Sequence, residues 1–210
     1  DPIPSRGLGD VYKRQLYRYM SGNVLAGNID EFDGAYMMTR LVDYIVEHLS
    51  QQIKAGCDTV QVFDSWASDL GEEHIIPYCY EPTAQIVERL RDLHPDVGII
   101  VFPRLIGEEI NNFSKYVNAD CISLSDDMKT DWILKRMGSQ CLQGGIPPQV
   151  LLSERKEEII RGTVPMIRQM KDCAYVVNLA HGINKETPVE NVRFFIEIVK
   201  RNRENITRET

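Results

Sequence analysis

The sequence predicts an α/β fold assembled from repeated strand and helix units. Five short, mostly apolar runs recur along the chain, and each is followed by a polar break and a helical pattern. The connections are long enough for right-handed crossovers between parallel strands. A (β/α)8 barrel of the TIM type is favoured over an open doubly wound sheet. Five units correspond to about five eighths of such a barrel.

The first predicted element is a long amphipathic helix over residues 31–55. Its apolar side chains recur at spacings of four to five residues: Phe32, Tyr36, Leu41, Ile45, Leu49 and Ile53. This spacing places them on one face of a helix. Gly56 follows, and glycine is the residue type that most often ends a helix. We expect this helix to pack on the sheet and to lead into the first strand.

The five strands and their helices follow in order. The predicted strands cover residues 59–63, 97–102, 121–124, 140–143 and 174–179. The helices predicted after them cover residues 80–93, 107–116, 129–137, 153–171 and 188–203. Such apolar strands are typical of parallel sheets that helices cover on the outside. No second domain is expected within residues 16–210.

The first fifteen residues differ from the remainder of the chain. Residues 1–15 show neither a helical nor a strand period, and they lack the apolar core of a signal peptide. They resemble the translation of a sequencing adapter, and we expect them to be non-native. The domain then covers residues 16–210, and we expect that three N-terminal strands of the barrel are missing.

Composition and charge exclude several functional classes. The 210 residues are 43% hydrophobic and 26% charged, with a net charge of −7, as in ordinary globular proteins. The acidic balance and the scattered basic residues argue against nucleic-acid binding, and no apolar stretch reaches membrane-spanning length. Five cysteines without a C-x-x-C pair are typical of a reducing compartment. We expect a cytoplasmic protein that binds neither nucleic acid nor membrane.

Polar residues at the strand ends are the candidate site. In a parallel barrel the reactive groups lie on the loops that follow the strands. The candidates at these positions are Asp64, Ser65, Arg104, Gln143, Asn178 and His181. His181 is the leading one, because it is a lone imidazole beside Gly182, where a backbone can approach a ligand closely. The alternative is a loop histidine that bonds a backbone carbonyl.

Alternatives remain for the other candidates as well. Ser65 lacks the G-x-S-x-G context of a nucleophile, so a hydrogen-bond donor is favoured. Asp64 is either a general acid or base, or the cap of the following turn. No His-x-Cys or His-Glu-x-x-His pattern occurs, and no G-x-G-x-x-G follows a strand. The sequence therefore indicates a site without metal or dinucleotide.

Three segments at strand ends also resemble the uroporphyrinogen decarboxylase family, whose members adopt a (β/α)8 barrel. The segments are residues 55–67, 142–148 and 178–183, together with Thr187 and Pro188. The resemblance covers roughly residues 30–203, the C-terminal part of the family's chain. It implies conversion of uroporphyrinogen III to coproporphyrinogen III in porphyrin and haem biosynthesis, by loss of four acetate carboxyl groups and without any cofactor.

The resemblance also implies roles for individual residues. Ser65 and His181 would contact the tetrapyrrole substrate, and Phe63 would lie on the wall of the pocket. Tyr19, followed by Met20, is similar to a substrate-contacting segment of the family. Tyr19 is therefore a catalytic candidate in addition to His181. Arg104 is expected from its loop position to face a substrate carboxylate. A homodimer is expected of the full-length protein.

The chain departs from the family's pattern in two places. Residues 145–148 read Gly-Ile-Pro-Pro where the family usually has Asn-Leu-Asp-Pro, and Ala180 replaces a glycine. A methyl group at position 180 is compatible only with a backbone that does not require positive φ. Two other readings stay open, a related zinc-dependent barrel methyltransferase and a non-catalytic scaffold. An open barrel with unpaired strand edges is expected to compromise activity.

Overall fold

The structure is a computed structural model, which describes residues 34–209 and, within them, the side chains of residues 36–202. The segment 1–15, Tyr19 and the predicted helix start at residues 31–33 lie outside the described residues. Two compact units divide the chain, with the boundary between Asp120 and Cys121. Each unit is described by itself.

The first unit begins with helix α1, Gly34–Lys54. Its buried apolar face consists of Met38, Leu41, Val42, Val46 and Leu49. Of the predicted face, Leu41 and Leu49 are buried, but Tyr36 is 61% exposed, so that prediction is only partly confirmed. Gly56 has a φ of +107°, and its N–H donates to the carbonyl of Ile53 at 2.9 Å. The chain thus leaves the helix through a backbone conformation that favours glycine, and the predicted end of the helix is confirmed.

Two parallel strands follow, β1 at Thr59–Asp64 and β2 at Gly98–Pro103. They pair in register at six positions, from Thr59 opposite Gly98 to Asp64 opposite Pro103. Alternate side chains, such as those of Val60 and Val62, are buried, because successive residues of a strand point to opposite faces. The predicted strands 59–63 and 97–102 are confirmed to within one residue.

The helices of the first unit are more elaborate than the sequence predicts. A short helix α2, Glu72–Ile75, runs through a π-helical turn at Ile76–Tyr80 into helix α3, Glu81–Leu93. A 3-10 turn at Gly107–Glu109 precedes helix α4, Ile110–Val117. The Tyr80 hydroxyl is shared between the carboxylate of Glu109 at 2.9 Å and its carbonyl at 3.0 Å, which joins the segments that follow β1 and β2.

The second unit holds three parallel strands in chain order. They are β3 at Cys121–Leu124, β4 at Cys141–Gly144 and β5 at Tyr175–Val176. Its helices are α5 at Thr130–Met137, α6 at Lys156–Gln169 and α7 at Val189–Glu209, with a 3-10 turn at Pro148–Leu152. A buried cluster of Leu151, Ile159 and Ile198 joins the 3-10 turn, α6 and α7.

Both units therefore show parallel strands alternating with helices, and the α/β prediction is confirmed. Within each unit, consecutive strands are neighbours. This order is consistent with part of a (β/α)8 barrel, whereas a doubly wound sheet reverses its strand order. Among the described helices, none is long and apolar enough to cross a membrane.

Three predicted elements of the second unit are wrong in extent, and one of them is α7, which continues to Glu209 and does not end at residue 203. The last strand covers two residues instead of the predicted 174–179, because β4 turns away at Gly144 and Gly145, where φ is +83° and +85°. Pairing resumes only as an isolated bridge between Ile146 and Leu179. Helix α6 begins at Lys156, later than predicted, because Ser153 accepts the N–H of Arg155 in a turn at 3.1 Å.

Candidate functional site

The carboxyl ends of β1 and β2 hold the first group of candidate residues. Asp64 and Ser65 are buried, with exposures of 3% and 9%, and Arg104 is partly exposed. The backbone N–H of Arg104 donates to the carbonyl of Asp64 at 3.0 Å. This bond continues the strand ladder by one step, so the sheet itself fixes the position of Arg104 relative to Asp64.

Phe63 presents an exposed aromatic ring just before these polar residues. Its side chain is 58% exposed, and its ring meets that of the buried Phe102 edge to face, with centroids 6.1 Å apart. The two rings are in contact because Phe63 and Phe102 are register partners on neighbouring strands. An exposed aromatic ring held by a buried one offers a fixed apolar surface to a ligand.

The residue after Arg104 has an unusual backbone. Leu105 has a φ of +56°, a conformation that costs a residue with a side chain about 1–2 kcal/mol. Backbone outliers of this kind concentrate at functional sites, where the surrounding structure holds them. The turn therefore fixes the direction in which the chain leaves Arg104.

In the second unit, Gln143 lies in a row of side chains that crosses the three strands. Ser123 is its register partner on β3, and Val176 is its partner on β5. The amide nitrogen of Gln143 donates to the Ser123 hydroxyl at 3.2 Å, and both residues are almost fully buried. This bond orients the Gln143 amide before any ligand arrives.

Two glycines form the turn at the end of β4. A Cβ on Gly144 would lie 3.0 Å from the carbonyl oxygen of Leu124 and 3.2 Å from that of Leu179. With its positive φ, this position therefore requires glycine. The Tyr175 hydroxyl donates to the carbonyl of Gly144 at 2.6 Å, and burial raises the pKa of Tyr175, so the hydroxyl keeps its proton as donor.

Asn178 and His181 follow β5. Asn178 is exposed, and its side-chain oxygen accepts the N–H of Leu179 at 2.8 Å. The N–H of Ala180 donates to the carbonyl of Ile146 at 2.7 Å, and the next residue, His181, is partly exposed. Ala180 is buried, and its φ is not positive. The backbone at position 180 therefore accepts a methyl group, as the replacement of the family's glycine requires.

The predicted site residues thus fall into two groups, one in each unit. Phe63, Asp64, Ser65 and Arg104 belong to the first, and Gln143, Asn178 and His181 belong to the second. Tyr19 lies outside the described residues. In the altered segment 145–148, Ile146 is fully buried, so these residues form a packed loop.

Three supporting residues were not predicted from the sequence. Ser123 is detectable only as the register partner of Gln143, and the sequence alone does not give the register. Tyr175 is an aromatic residue in a strand, which is common, so the sequence gives no sign of its supporting role. Leu105 carries no sequence signal of a positive φ, for which glycine or asparagine would be typical.

The described side chains contain no group of three or more His, Cys, Asp or Glu residues arranged to hold a metal ion. The five cysteines are thiols, of which Cys79 and Cys121 are buried and Cys57 is exposed. What the described residues offer a ligand is therefore hydrogen bonding, positive charge at Arg104 and an aromatic surface at Phe63.

Comparison with known proteins gives the sequence a family context. Residues 30–202 match the family described as uroporphyrinogen decarboxylase (URO-D). A uroporphyrinogen decarboxylase of Orientia tsutsugamushi is 34% identical over 160 residues, which cover 76% of this chain and 47% of that protein. The enzymes of that name from Cereibacter sphaeroides and Paracoccus denitrificans are each 31% identical, over 78% and 79% of this chain and 48% of their own length. The chain spans about half the length of the curated relatives it matches.

Proposed function

Because the chain belongs to the uroporphyrinogen decarboxylase family, we propose that the protein decarboxylates the four acetate side chains of uroporphyrinogen III to give coproporphyrinogen III. The observation that carries the proposal is the family match over residues 30–202, which includes the strand ends of both units. The proposal concerns the activity of the whole protein, because the match covers only 47–48% of the length of these relatives.

The chemistry defines what the protein has to supply. In each round the bond between the methylene carbon and the carboxylate breaks, carbon dioxide leaves, and the electron pair passes into a protonated pyrrole ring. A proton then adds to the methylene carbon and gives a methyl group, and the proton that the ring had taken up is released, which restores the neutral pyrrole. The substrate ring is the electron sink, so the side chains supply proton transfer, charge complementarity and orientation.

The first group of residues is suited to holding the substrate. We assign Arg104 to a substrate carboxylate, because a guanidinium binds a carboxylate through two parallel hydrogen bonds. We assign the exposed ring of Phe63 to the apolar part of the tetrapyrrole, and Ser65 to a hydrogen bond with the substrate. Asp64 contributes an acceptor at the same strand end.

The second group is suited to proton transfer and to orientation. His181 is assigned the proton transfer, because an imidazole both gives and takes protons near neutral pH. Gln143 and Asn178 carry amide groups, which we assign to hydrogen bonds with the acetate and propionate carboxylates. Tyr19, outside the described residues, remains the second catalytic candidate.

The test is an anaerobic assay of coproporphyrinogen formation from uroporphyrinogen III. The products are oxidised to porphyrins and separated by their number of carboxyl groups. His181→Gln is expected to lower kcat about 100-fold or more. His48→Gln is the matched control, because His48 is exposed on α1 and its ring hydrogen-bonds to Gln52 one turn later on the same helix.

Two results would contradict the proposal. A wild-type protein that binds uroporphyrin but releases no carbon dioxide from uroporphyrinogen would favour a non-catalytic scaffold. Equal loss of activity in His181→Gln and His48→Gln would remove the specific role of His181.

We also propose a cytoplasmic homodimer for the complete protein, and light scattering would measure its mass in solution.

A further inference from the structure

We propose that Tyr175 is a positioning residue for His181, and that it acts through the glycine turn at the end of β4. The proposal rests on the proposed function in assigning proton transfer to His181. Its structural part, that the Tyr175 hydroxyl sets where the His181 ring lies, is tested independently of activity.

The first step is the bond between Tyr175 and the turn. Tyr175 is the register partner of Leu142, two residues before Gly144. Its hydroxyl reaches the Gly144 carbonyl at 2.6 Å, a short distance for a hydrogen bond between neutral groups. Tyr175 is therefore bonded to the residue at which β4 stops following β5.

The second step is the rigidity of the turn itself. Gly144 and Gly145 both have positive φ, and the N–H of Gly145 donates to the Leu124 carbonyl at 3.1 Å. On the other side, the Met166 methyl lies 2.5 Å from where a Cβ on Gly145 would be. The turn is thus held by β3, by α6 and by Tyr175, and the hydroxyl is one of these three supports.

Ile146 connects the turn to the loop that holds His181. Ile146 follows the turn directly, is fully buried and forms the parallel bridge with Leu179. Its carbonyl accepts the N–H of Ala180 at 2.7 Å, and His181 is the next residue. A shift of the turn therefore moves the backbone from which the His181 side chain projects.

The effect on the reaction follows from the geometric demands of proton transfer. A displacement of about 1 Å in a reacting group can cost up to about 100-fold in rate. Removal of the hydroxyl leaves the His181 ring intact and in a shifted position. We expect kcat to fall about tenfold and KM to rise by a smaller factor, because Phe63, Ser65 and Arg104 of the first unit are unchanged whereas Gln143 and Asn178 lie next to the shifted segments.

The decisive experiment uses Tyr175→Phe, which removes only the hydroxyl, with Tyr44→Phe as the matched control on the exposed face of α1. The complete protein is labelled with ¹³C-histidine, and the His181 ring signals are assigned by their loss in His181→Gln. We expect Tyr175→Phe to shift the His181 signals and to leave those of His48, His74 and His94 in place. Tyr44→Phe should leave the His181 signals in place, and any shift it causes should be confined to His48, its neighbour one turn along α1.

The outcomes separate the two proposals. Unmoved His181 signals in a folded Tyr175→Phe protein overturn the positioning role, whatever the activity. Shifted signals with an unchanged kcat overturn its role in the reaction. Shifted signals in a protein whose wild type makes no coproporphyrinogen support the positioning role and refute the proposed function alone.

A second variant covers the case in which Tyr175→Phe does not fold. Met166→Ala removes the support of the turn from the α6 side without changing β5, so it is expected to shift the same His181 signals. If Met166→Ala leaves them in place, the turn does not position His181 and the proposal fails.

Discussion

The strand ends of the two units reach their positions in different ways. β1 and β2 pair at six consecutive positions, and the bond from Arg104 to Asp64 extends the same ladder. β4 and β5 pair at only two positions. Beyond them, individual contacts such as the Tyr175 hydroxyl on Gly144 hold the chain.

One sequence pattern, an apolar strand followed by polar residues, is therefore positioned by two kinds of interaction in this chain. A repeated ladder distributes its constraint over many backbone bonds, so loss of one side chain changes little at its end. A turn held by single contacts depends on each of them. Single substitutions should therefore disturb the β4–β5 end more than the β1–β2 end.

The largest expected effect is that of Gly144→Ala. The added methyl would meet two carbonyl oxygens at 3.0–3.2 Å in a positive-φ backbone, and we expect a loss of about 2–3 kcal/mol in the free energy of unfolding. Gly182→Ala is the control, because nothing lies within 4 Å of its Cβ position, and it should change stability by less than about 0.5 kcal/mol. Urea unfolding measures both, and equal losses would contradict the requirement for glycine at position 144.

The next effect concerns packing at the β1–β2 end. Phe102 is 4% exposed and its partner Phe63 is 58% exposed, so Phe102→Leu should cost about 1–2 kcal/mol and Phe63→Leu less than about 0.5 kcal/mol. In the complete protein, Phe63→Leu should instead weaken uroporphyrin binding, measured by fluorescence titration. A Phe63→Leu protein that is destabilised but binds uroporphyrin normally would show that the ring serves the core.

The free energy of unfolding should depend on pH through the ionisation of Tyr175. Burial raises its pKa above the ordinary value of 10.0, so above pH 10 the unfolded chain loses the phenolic proton while the folded protein keeps it. The stabilisation is complete below pH 10 and is lost as the pH rises further, by at most about 0.8 kcal/mol at about pH 10.5. Urea unfolding at about pH 9 and about pH 10.5 should show a smaller loss in Tyr175→Phe than in wild type.

Tyr80 is the counterpart of Tyr175 in the first unit. Burial, together with the neighbouring Glu109 carboxylate, raises its pKa as well, so Tyr80→Phe should flatten the same alkaline loss of stability. The two substitutions should act additively, because each hydroxyl bonds within its own unit. An alkaline stability profile that neither substitution changes would contradict both assignments.

The smallest expected effect is that of a surface ion pair. Arg89 on α3 donates to the Asp43 carboxylate on α1 at 2.8 Å, but both side chains are more than 40% exposed. Asp43→Ala should therefore cost about 0.5 kcal/mol or less, and a double-mutant cycle with Arg89→Ala measures the pair itself. A coupling above about 1 kcal/mol would contradict the small contribution expected of an exposed pair and show that it helps to hold α1 against α3.

Much of the fold could be predicted because the signals are local. Gly56 marks the end of α1, and the apolar runs give β1 to β4 to within one residue. The π-helical turn at Ile76–Tyr80 was not predicted, since its hydrogen-bond pattern depends on how α3 packs. The last strand was overestimated because its length depends on where β4 turns, and Ala174 to Leu179 carry no sign of that turn.

The positions of the candidate residues along the strands could be predicted, but the contacts that support these residues could not. Within each unit, parallel strands place their carboxyl ends at the same edge, so Ser65 and Arg104 in the first unit and Gln143 in the second follow from strand assignment alone. The contacts between Tyr175 and Gly144 and between Ser123 and Gln143 join residues 31 and 20 positions apart. Such contacts depend on register, which a single sequence does not specify.

The bond from Ala180 to Ile146 also makes one backbone amide a natural reporter. Ala180 is buried and its N–H is bonded at 2.7 Å, whereas Asn178 and Gly182 on either side are exposed. In deuterated solvent this amide should exchange slowly between faster neighbours, since exchange requires local opening. Its exchange rate therefore reads out, one residue away from the imidazole and without substrate, how often the loop carrying His181 opens.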